Sequence, residues 1–255
     1  MERELDVAKR AALEAGKILM KYYGRVDTSS KKDGSPVTKA DTESEEKIRS
    51  ILMHEFPDYA FIGEESGVTG SGEFTWVVDP LDGTTNYSSR NPFFNVSIGL
   101  LKGNEAVLGI VFAPVQNELF SAAKGEGAHL NGKPIRVSEK DDIKSSIITF
   151  CHSRKWKDTE NISKVFHNFK HITEHFRQYG AAALELAYVA SGRIESFMSF
   201  GLNVWDVTAG IVIVREAGGR VTDTKGRKVD VDSKEIVASN KNIHDKILKK
   251  IEDSI

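Results

Sequence analysis

At 255 residues the chain can bury one large core or two fused subdomains, and 40% hydrophobic with 28% charged residues is the make-up of a soluble globular protein. A formal charge of −2 excludes an electrostatic grip on nucleic acid, and short basic stretches such as Lys31-Lys32 and Lys246 to Lys250 read as solvated faces. The single cysteine, Cys151, excludes an internal disulfide framework and reads as a buried small residue. No apolar run approaches the ~18 residues of a membrane span. The N-terminus, Met1-Glu2-Arg3-Glu4, lacks the order of a signal peptide, so the expectation is a cytoplasmic protein with no membrane partner.

Leu5, Ala8, Ala12, Ala15, Leu19 and Tyr22 recur at helical spacing, with Gly24 placed to end the helix. Residues 29–38, polar and small around Gly34 and Pro36, predict a mobile loop. Thr42-Glu43-Ser44-Glu45 reads as a capping box opening a helix with Ile48, Ile51, Leu52 and Phe56 inward. A Gly/Ser-rich solvated connection at 67–73 leads to a strand ending at Asp79. Short β-rich runs at Phe94 to Leu101, Ala106 to Ala113 and Glu118 to Ala123, with Asn131-Gly132 as a hairpin, predict an antiparallel meander. The second half alternates. It predicts a strand at Ser146 to Cys151, a polar helix, a small-residue helix at Gly180 to Ala190 and a strand at Ile194 to Phe200. A helix at Asp206 to Ala217, strands at Arg220 to Thr222 and Ile236 to Ser239, and a helix from Asn242 complete it. The fold class is layered α/β, with a meander in the first half and a mixed sheet in the second. Subdomains at 1–142 and 143–255 would meet near residues 138–146.

The segment from Trp76 to Asn86 carries the chemistry. Asp79 and Asp82 end a buried run, and Gly83-Thr84-Thr85 follows with free backbone N–H groups and hydroxyls. Paired carboxylates are ligands for a hard cation such as Mg²⁺, and a glycine-led N–H cradle suits phosphate. An Asp-Pro turn followed by an Asp-Gly turn is the plainer reading, but it does not explain a second carboxylate just after a buried strand. Glu64-Glu65 after Phe61-Ile62-Gly63, and Asp206 at the head of an apolar segment, add acids of the same kind. Asp206 also suits a helix N-cap, a role compatible with metal ligation. His167, His171 and His175 share helical spacing in a polar stretch and read as a solvated face.

The ordered set Gly63-Glu64-Glu65-Ser66, Asp79 to Asn86 and Trp205-Asp206-Val207-Thr208-Ala209-Gly210 resembles the inositol monophosphatase-like Mg²⁺-dependent phosphatases. Lys32 to Asp41 before it and Arg215-Glu216-Ala217-Gly218-Gly219 after it extend the resemblance over essentially the whole chain. The resemblance implies the layered inositol monophosphatase/fructose-1,6-bisphosphatase fold, a homodimer, a small phosphate monoester as substrate, and two to three Mg²⁺ ions, with Mn²⁺ as a substitute. It implies that Glu64, Asp79 and the Leu81 carbonyl hold one ion, and that Asp79, Asp82 and Asp206 hold another. Glu65 is left out of the ligand set. Thr84 with Asp41 would orient the attacking water, with Glu64 in the catalytic set; a helix-start charge is the competing role for Asp41.

For the substrate, the resemblance points to Gly83, Thr84 and Thr85 at the phosphate and to Gly180, Ala181 and Ser199 at the ring. Ser199 stands where inositol monophosphatases often carry a glutamate, which leaves room for fructose 1,6-bisphosphate, as in dual-activity prokaryotic relatives. Thr85-Asn86-Tyr87 is similar to the inositol-phosphate branch. The expected function is Mg²⁺-dependent hydrolysis of inositol 1-phosphate and related sugar phosphates. Its rivals are mainly a fructose-1,6-bisphosphatase, or a non-catalytic sugar-phosphate-binding or regulatory protein. Residues 29–38, with Lys31 and Lys32, are expected to close as a lid over bound metal and phosphate, against the alternative of a plain connector.

Overall fold

The computed structural model describes residues 1–25, 38–230 and 233–255 in full, with the backbone of 29–30 and 36–37. The expected lid at 29–38 falls almost wholly outside the described residues. Helix α1 (Glu2–Tyr22) leads to the ribbon β1 (Ser29–Ser30) and β2 (Pro36–Val37), then α2 (Lys39–Glu55). An eight-stranded sheet follows: β3 (Ala60–Gly63), β4 (Gly67–Thr69), β5 (Phe74–Asp82), β6 (Asn95–Lys102), β7 (Glu105–Ala113), β8 (Glu118–Ala123), β9 (Ala128–Leu130) and β10 (Lys133–Pro134). The short α3 (Thr84–Ser88) leaves β5. The second half runs β11 (Ile148–His152), α4 (Trp156–Lys170), β12 (Phe176–Arg177), α5 (Ala182–Ala190), β13 (Ser196–Phe200), α6 (Val204–Glu216), β14 (Arg220–Thr222), β15 (Glu235–Ser239) and α7 (His244–Glu252).

The meander is present from β5 to β10, and the parallel pairing of β3 with β5 extends it. The second sheet, ordered β12-β11-β13-β15-β14, is mixed, parallel among its first three strands and antiparallel in the rest. Alternation along β7 sends Ile110 and Phe112 into a core with α1 and α2, and Val111 and Ala113 into a core with α5 and α6. On the far side of the second sheet, Val165 and Phe169 of α4 and Ile247 and Ile251 of α7 cover Met198 and Val237. The chain is therefore a five-layer αβαβα stack. Among the described residues no strand pairs across residue 142, and we propose 1–142 and 143–255 as its two sheet units, welded by the core between them.

Two helix starts differ from expectation. Helix α2 opens one turn early: Thr38 is its N-cap, and its backbone N–H donates to Asp41 Oδ2 at 2.8 Å, so the capping box is Thr38 to Asp41 and not Thr42 to Glu45. Helix α6 opens at Val204 with Asn203 as N-cap, and the Asn203 N–H donates to Asp206 Oδ2 at 2.7 Å. Asp206 therefore closes a capping box from the first turn and is not itself the N-cap.

Glycine sets how close α6 comes. Gly99 and Gly109 face each other across β6 and β7. A Cβ on Gly109 would stand 2.2 Å from Ala209 O, and one on Gly99 2.4 Å from Thr208 Cγ2. Two adjacent positions without side chains form the trough into which α6 settles, with Asp206 at its head.

Candidate active site

Strand β5 does not end at Asp79. Asp79 pairs with Ser97 and Asp82 with Asn95, so β5 spends three steps where β6 spends two. This is a β-bulge, and Pro80, which has no N–H to give a ladder, sits inside it. In a regular strand, residues three apart face opposite sides. The extra residue turns Asp79 and Asp82 to the same face, the one on which α6 lies.

Three elements bring the other acids there. Glu64 follows β3, and its N–H donates to Val78 O at 3.1 Å, just before Asp79. Helix α2 meets the bulge through Ser44 Oγ, which donates to Pro80 O at 3.3 Å, one turn beyond the buried Asp41. Helix α6 is tied to β6 by Ser97 Oγ donating to Trp205 O at 3.4 Å, beside Asp206.

The electrostatics fit charge brought in from outside. Burial, then Glu64, Asp82 and Asp206, push the Asp79 carboxyl well above its usual range. Burial raises Asp82 to about 6 against the donors that hold it, with Glu64 adding to the rise. Burial likewise raises Asp206 to about 7, opposed by Asn203 and reinforced by Asp82 and Glu64. Among the described residues no three acids are drawn up into a finished metal cage. The donor set is nonetheless all hard oxygen, and the charges of Asp79, Asp82 and Asp206 are penalised by like-charged neighbours, the condition a divalent cation relieves.

Asp82 has a second task. Its Oδ2 accepts Asn95 Nδ2 at 2.7 Å and Ala183 N at 2.8 Å, and its Oδ1 accepts Ala182 N at 3.2 Å. A carboxylate from the first sheet thus caps α5 of the second half. Asp79 Oδ1 accepts Leu81 N at 3.0 Å, and Thr84 Oγ1 donates to Leu81 O at 3.1 Å. Gly83, in the left-handed region at φ 91°, approaches the second half so closely that a Cβ would lie 3.1 Å from Ala181 Cβ.

A cavity of about 590 Å³ adjoins these acids, walled by Asp82, Thr85, Gly180, Ser199 and Asp206, with Arg154 also lining it. Sequence-predicted residues of both halves therefore share one site. Three contributors were not foreseen. Glu45 accepts the N–H groups of Glu65 and Ser66, each at 2.8 Å, and braces the segment that carries Glu64. Its signal was its place four residues after Asp41, on the same helix face. Asn95 and Glu185 gave no comparable sign.

A layered α/β stack that gathers buried acids of both halves beside a polar cleft suits a phosphatase. A profile of the inositol monophosphatase family matches residues 1–255. The chain is 39% identical to the fructose-1,6-bisphosphatase/inositol-1-monophosphatase of Aquifex aeolicus, over 97% of this chain and 95% of that one. It is 38% identical to a Nus factor SuhB of Pasteurella multocida, over 99% and 97%. The solved inositol monophosphatase of Anabaena superposes with a TM-score of 0.91 at 35% identity, over 100% and 97%. The protein belongs to the inositol monophosphatase family and is a phosphatase.

Proposed function

We propose that the protein is a Mg²⁺-dependent phosphomonoesterase acting on inositol 1-phosphate and related sugar phosphates through attack by water. The observation that carries this reading is the bulge that puts Asp79 and Asp82 on the face shared with Asp206, beside the cavity. Glu64, Asp79 and the Leu81 carbonyl would hold one Mg²⁺, and Asp79, Asp82 and Asp206 a second; Mn²⁺ would substitute. Such ions, when bound, lower the pKa of water and neutralise charge on the transferring phosphoryl group.

The chain's own groups prepare that chemistry. Thr84 spends its hydroxyl proton on Leu81 O, which leaves its oxygen lone pairs to accept a hydrogen bond from water. Asp41 Oδ2 is committed to Thr38, which fixes the orientation of the carboxylate at the start of α2. Gly83, Thr84 and Thr85 would take the phosphate, with Gly180, Ala181 and Ser199 at the polyol.

The cavity also favours a second substrate class. Arg154 supplies a cation for a second phosphate, and Ser199 brings no carboxylate to select ring hydroxyls, so fructose 1,6-bisphosphate belongs within range. A cytoplasmic homodimer completes the proposal, on the family resemblance. Among the described residues no helix is long and apolar enough to cross a membrane.

The test is phosphate release from a panel containing inositol 1-phosphate, fructose 1,6-bisphosphate and simpler polyol phosphates, with Mg²⁺ and with chelator, alongside light scattering for the dimer. Chelator-insensitive release would remove the metal from the reading. No release from any substrate would leave the non-catalytic binding or regulatory rival in its place.

A further inference from the structure

Glu185 is fully buried on α5, outside the acids assigned above. Its side chain folds back past the start of its own helix, where Oε1 accepts Gly180 N at 3.0 Å and the Cys151 thiol at 3.3 Å. Among the described residues Oε2 has no hydrogen-bond partner, nor has Ser199 Oγ, although both atoms are buried. Cys151 and Ser199 are direct partners on the parallel strands β11 and β13, so their side chains share a face of the sheet. Gly180, Cys151 and Ser199 all line the cavity, and Glu185 stands behind them.

Helix α5 does not need this acid as a cap, because Asp82 already takes the N–H groups of Ala182 and Ala183. What Glu185 holds is a peptide. Tyr179 O and Gly180 N–H belong to one peptide unit. Asn86 Nδ2 donates to that oxygen at 2.7 Å, while Glu185 accepts from that N–H at 3.0 Å. Gly180 has φ +84°, a conformation that glycine leaves readily, so without both holds the peptide plane is free to turn. Asn86 comes from the turn after the bulge and Glu185 from α5, so the two halves clamp one plane of the cavity wall.

We propose that Glu185 is a positioning residue for substrate recognition: with Asn86 it locks the Tyr179–Gly180 peptide and, through Cys151, the adjoining wall against which the non-phosphate part of the substrate rests. The inference rests on the phosphatase reading and deepens its specificity side. Burial raises this carboxyl to about 8, against the bonds from Cys151 and Gly180, and Asp82 adds to the rise. The neutral acid keeps an acceptor for Gly180 without placing another negative charge behind the metal ligands.

The experiment compares wild type with Glu185→Gln, Glu185→Asp and Glu185→Leu. Gln keeps an acceptor at the same reach, Asp withdraws it by one methylene, and Leu removes it. For the best substrate of the panel, Leu and Asp should raise KM about tenfold with kcat within about twofold, and Gln should stay within about twofold on both. Amide hydrogen exchange at Gly180 should quicken in Asp and Leu while the amides of α5 keep their protection, a readout that needs no turnover. If Leu does not fold, Asp carries the test. Unchanged KM and unchanged Gly180 exchange in Asp would overturn the proposal, as would a Gln variant as impaired as Leu, or a loss confined to kcat. A wild-type protein that releases no phosphate from any substrate would sink the phosphatase reading, while Gly180 exchange would still judge the clamp.

Discussion

Asp79 and Asp82 are three residues apart on one strand and yet face the same side of the sheet, because the bulge sets Pro80 and Leu81 of β5 against the single residue Val96 that separates their cross-strand partners Ser97 and Asn95. The arrangement puts like charges together in a buried place. Raising Asp82 from 3.8 to about 6 corresponds to about 3 kcal/mol of penalty on its charged form. Exchanging its oxygens for an amide forfeits about 1–2 kcal/mol of hydrogen bonds to the α5 amides and Asn95. Asp82→Asn should therefore melt no lower than wild type in chelator at pH 7, and should gain less stability from Mg²⁺. Turnover should fall by orders of magnitude. Near-normal turnover would remove Asp82 from the ligand set.

The same acids give the metal-free protein a definite pH response. Asp82, Asp206 and Glu185 titrate near 6, 7 and 8 when folded, above their ordinary values of 3.8, 3.8 and 4.5, and Asp79 is raised as well. An acid that holds its proton more tightly when folded contributes stability fully present below its unfolded pKa and lost as pH rises through its folded pKa. In chelator, stability should decline from about pH 4 to about pH 8. Because cation binding needs Asp79, Asp82 and Asp206 ionised, Mg²⁺ should flatten or reverse the decline and release protons. Thermal melts across that range, with proton release read by calorimetry in two buffers, check both parts. A flat metal-free profile would refute the pKa ordering.

Much of this was legible in the sequence, for physical reasons that differ by element. The meander was readable because hairpin turns and alternation are local signals, and the acids because their motifs are contiguous. The bulge was not. Asp-Pro reads as a turn, and only pairing with β6 shows that the ladder resumes at Asp82. The start of α2 was misplaced because Thr38 to Asp41 and Thr42 to Glu45 both offer a hydroxyl followed by an acid three residues on. Burial of Asp41 decided between them. Glu45 was then free to brace the Glu64 segment, where a Cβ on Gly63 would stand 2.5 Å from its carboxyl carbon. The double hold on the Tyr179–Gly180 peptide joins residues 93 positions apart at one end and five at the other, a relation that no local pattern encodes.

Gly109 offers a test of action at a distance. It touches no ligand, yet a Cβ there would meet the Ala209 backbone at 2.2 Å, and a backbone atom cannot swing aside as a side chain can. Gly109→Ala should lift α6 from its trough and carry Asp206 with it, at a cost of about 1–3 kcal/mol. The Mg²⁺ concentration for half-maximal activity should rise while far-UV circular dichroism stays native. An unchanged Mg²⁺ requirement would show that α6 does not position Asp206 through this contact.

Ser199 decides breadth. Its side chain lies on β13 at the cavity, buried and with its hydroxyl unpaired among the described residues. A serine offers one donor and a modest acceptor, whereas a carboxylate offers several acceptor positions to adjacent ring hydroxyls. The wild-type protein should therefore hydrolyse more than one sugar or polyol phosphate at comparable kcat/KM, fructose 1,6-bisphosphate included. Ser199→Glu should raise the ratio of inositol 1-phosphate to fructose 1,6-bisphosphate hydrolysis by about tenfold or more, since a site built to bond hydroxyls rejects ligands that leave it unpaired. Competition between the two substrates in one reaction gives the ratio directly. Strict preference for inositol 1-phosphate in the wild type, or a ratio unmoved by Glu at 199, would place the specificity determinant elsewhere in the wall.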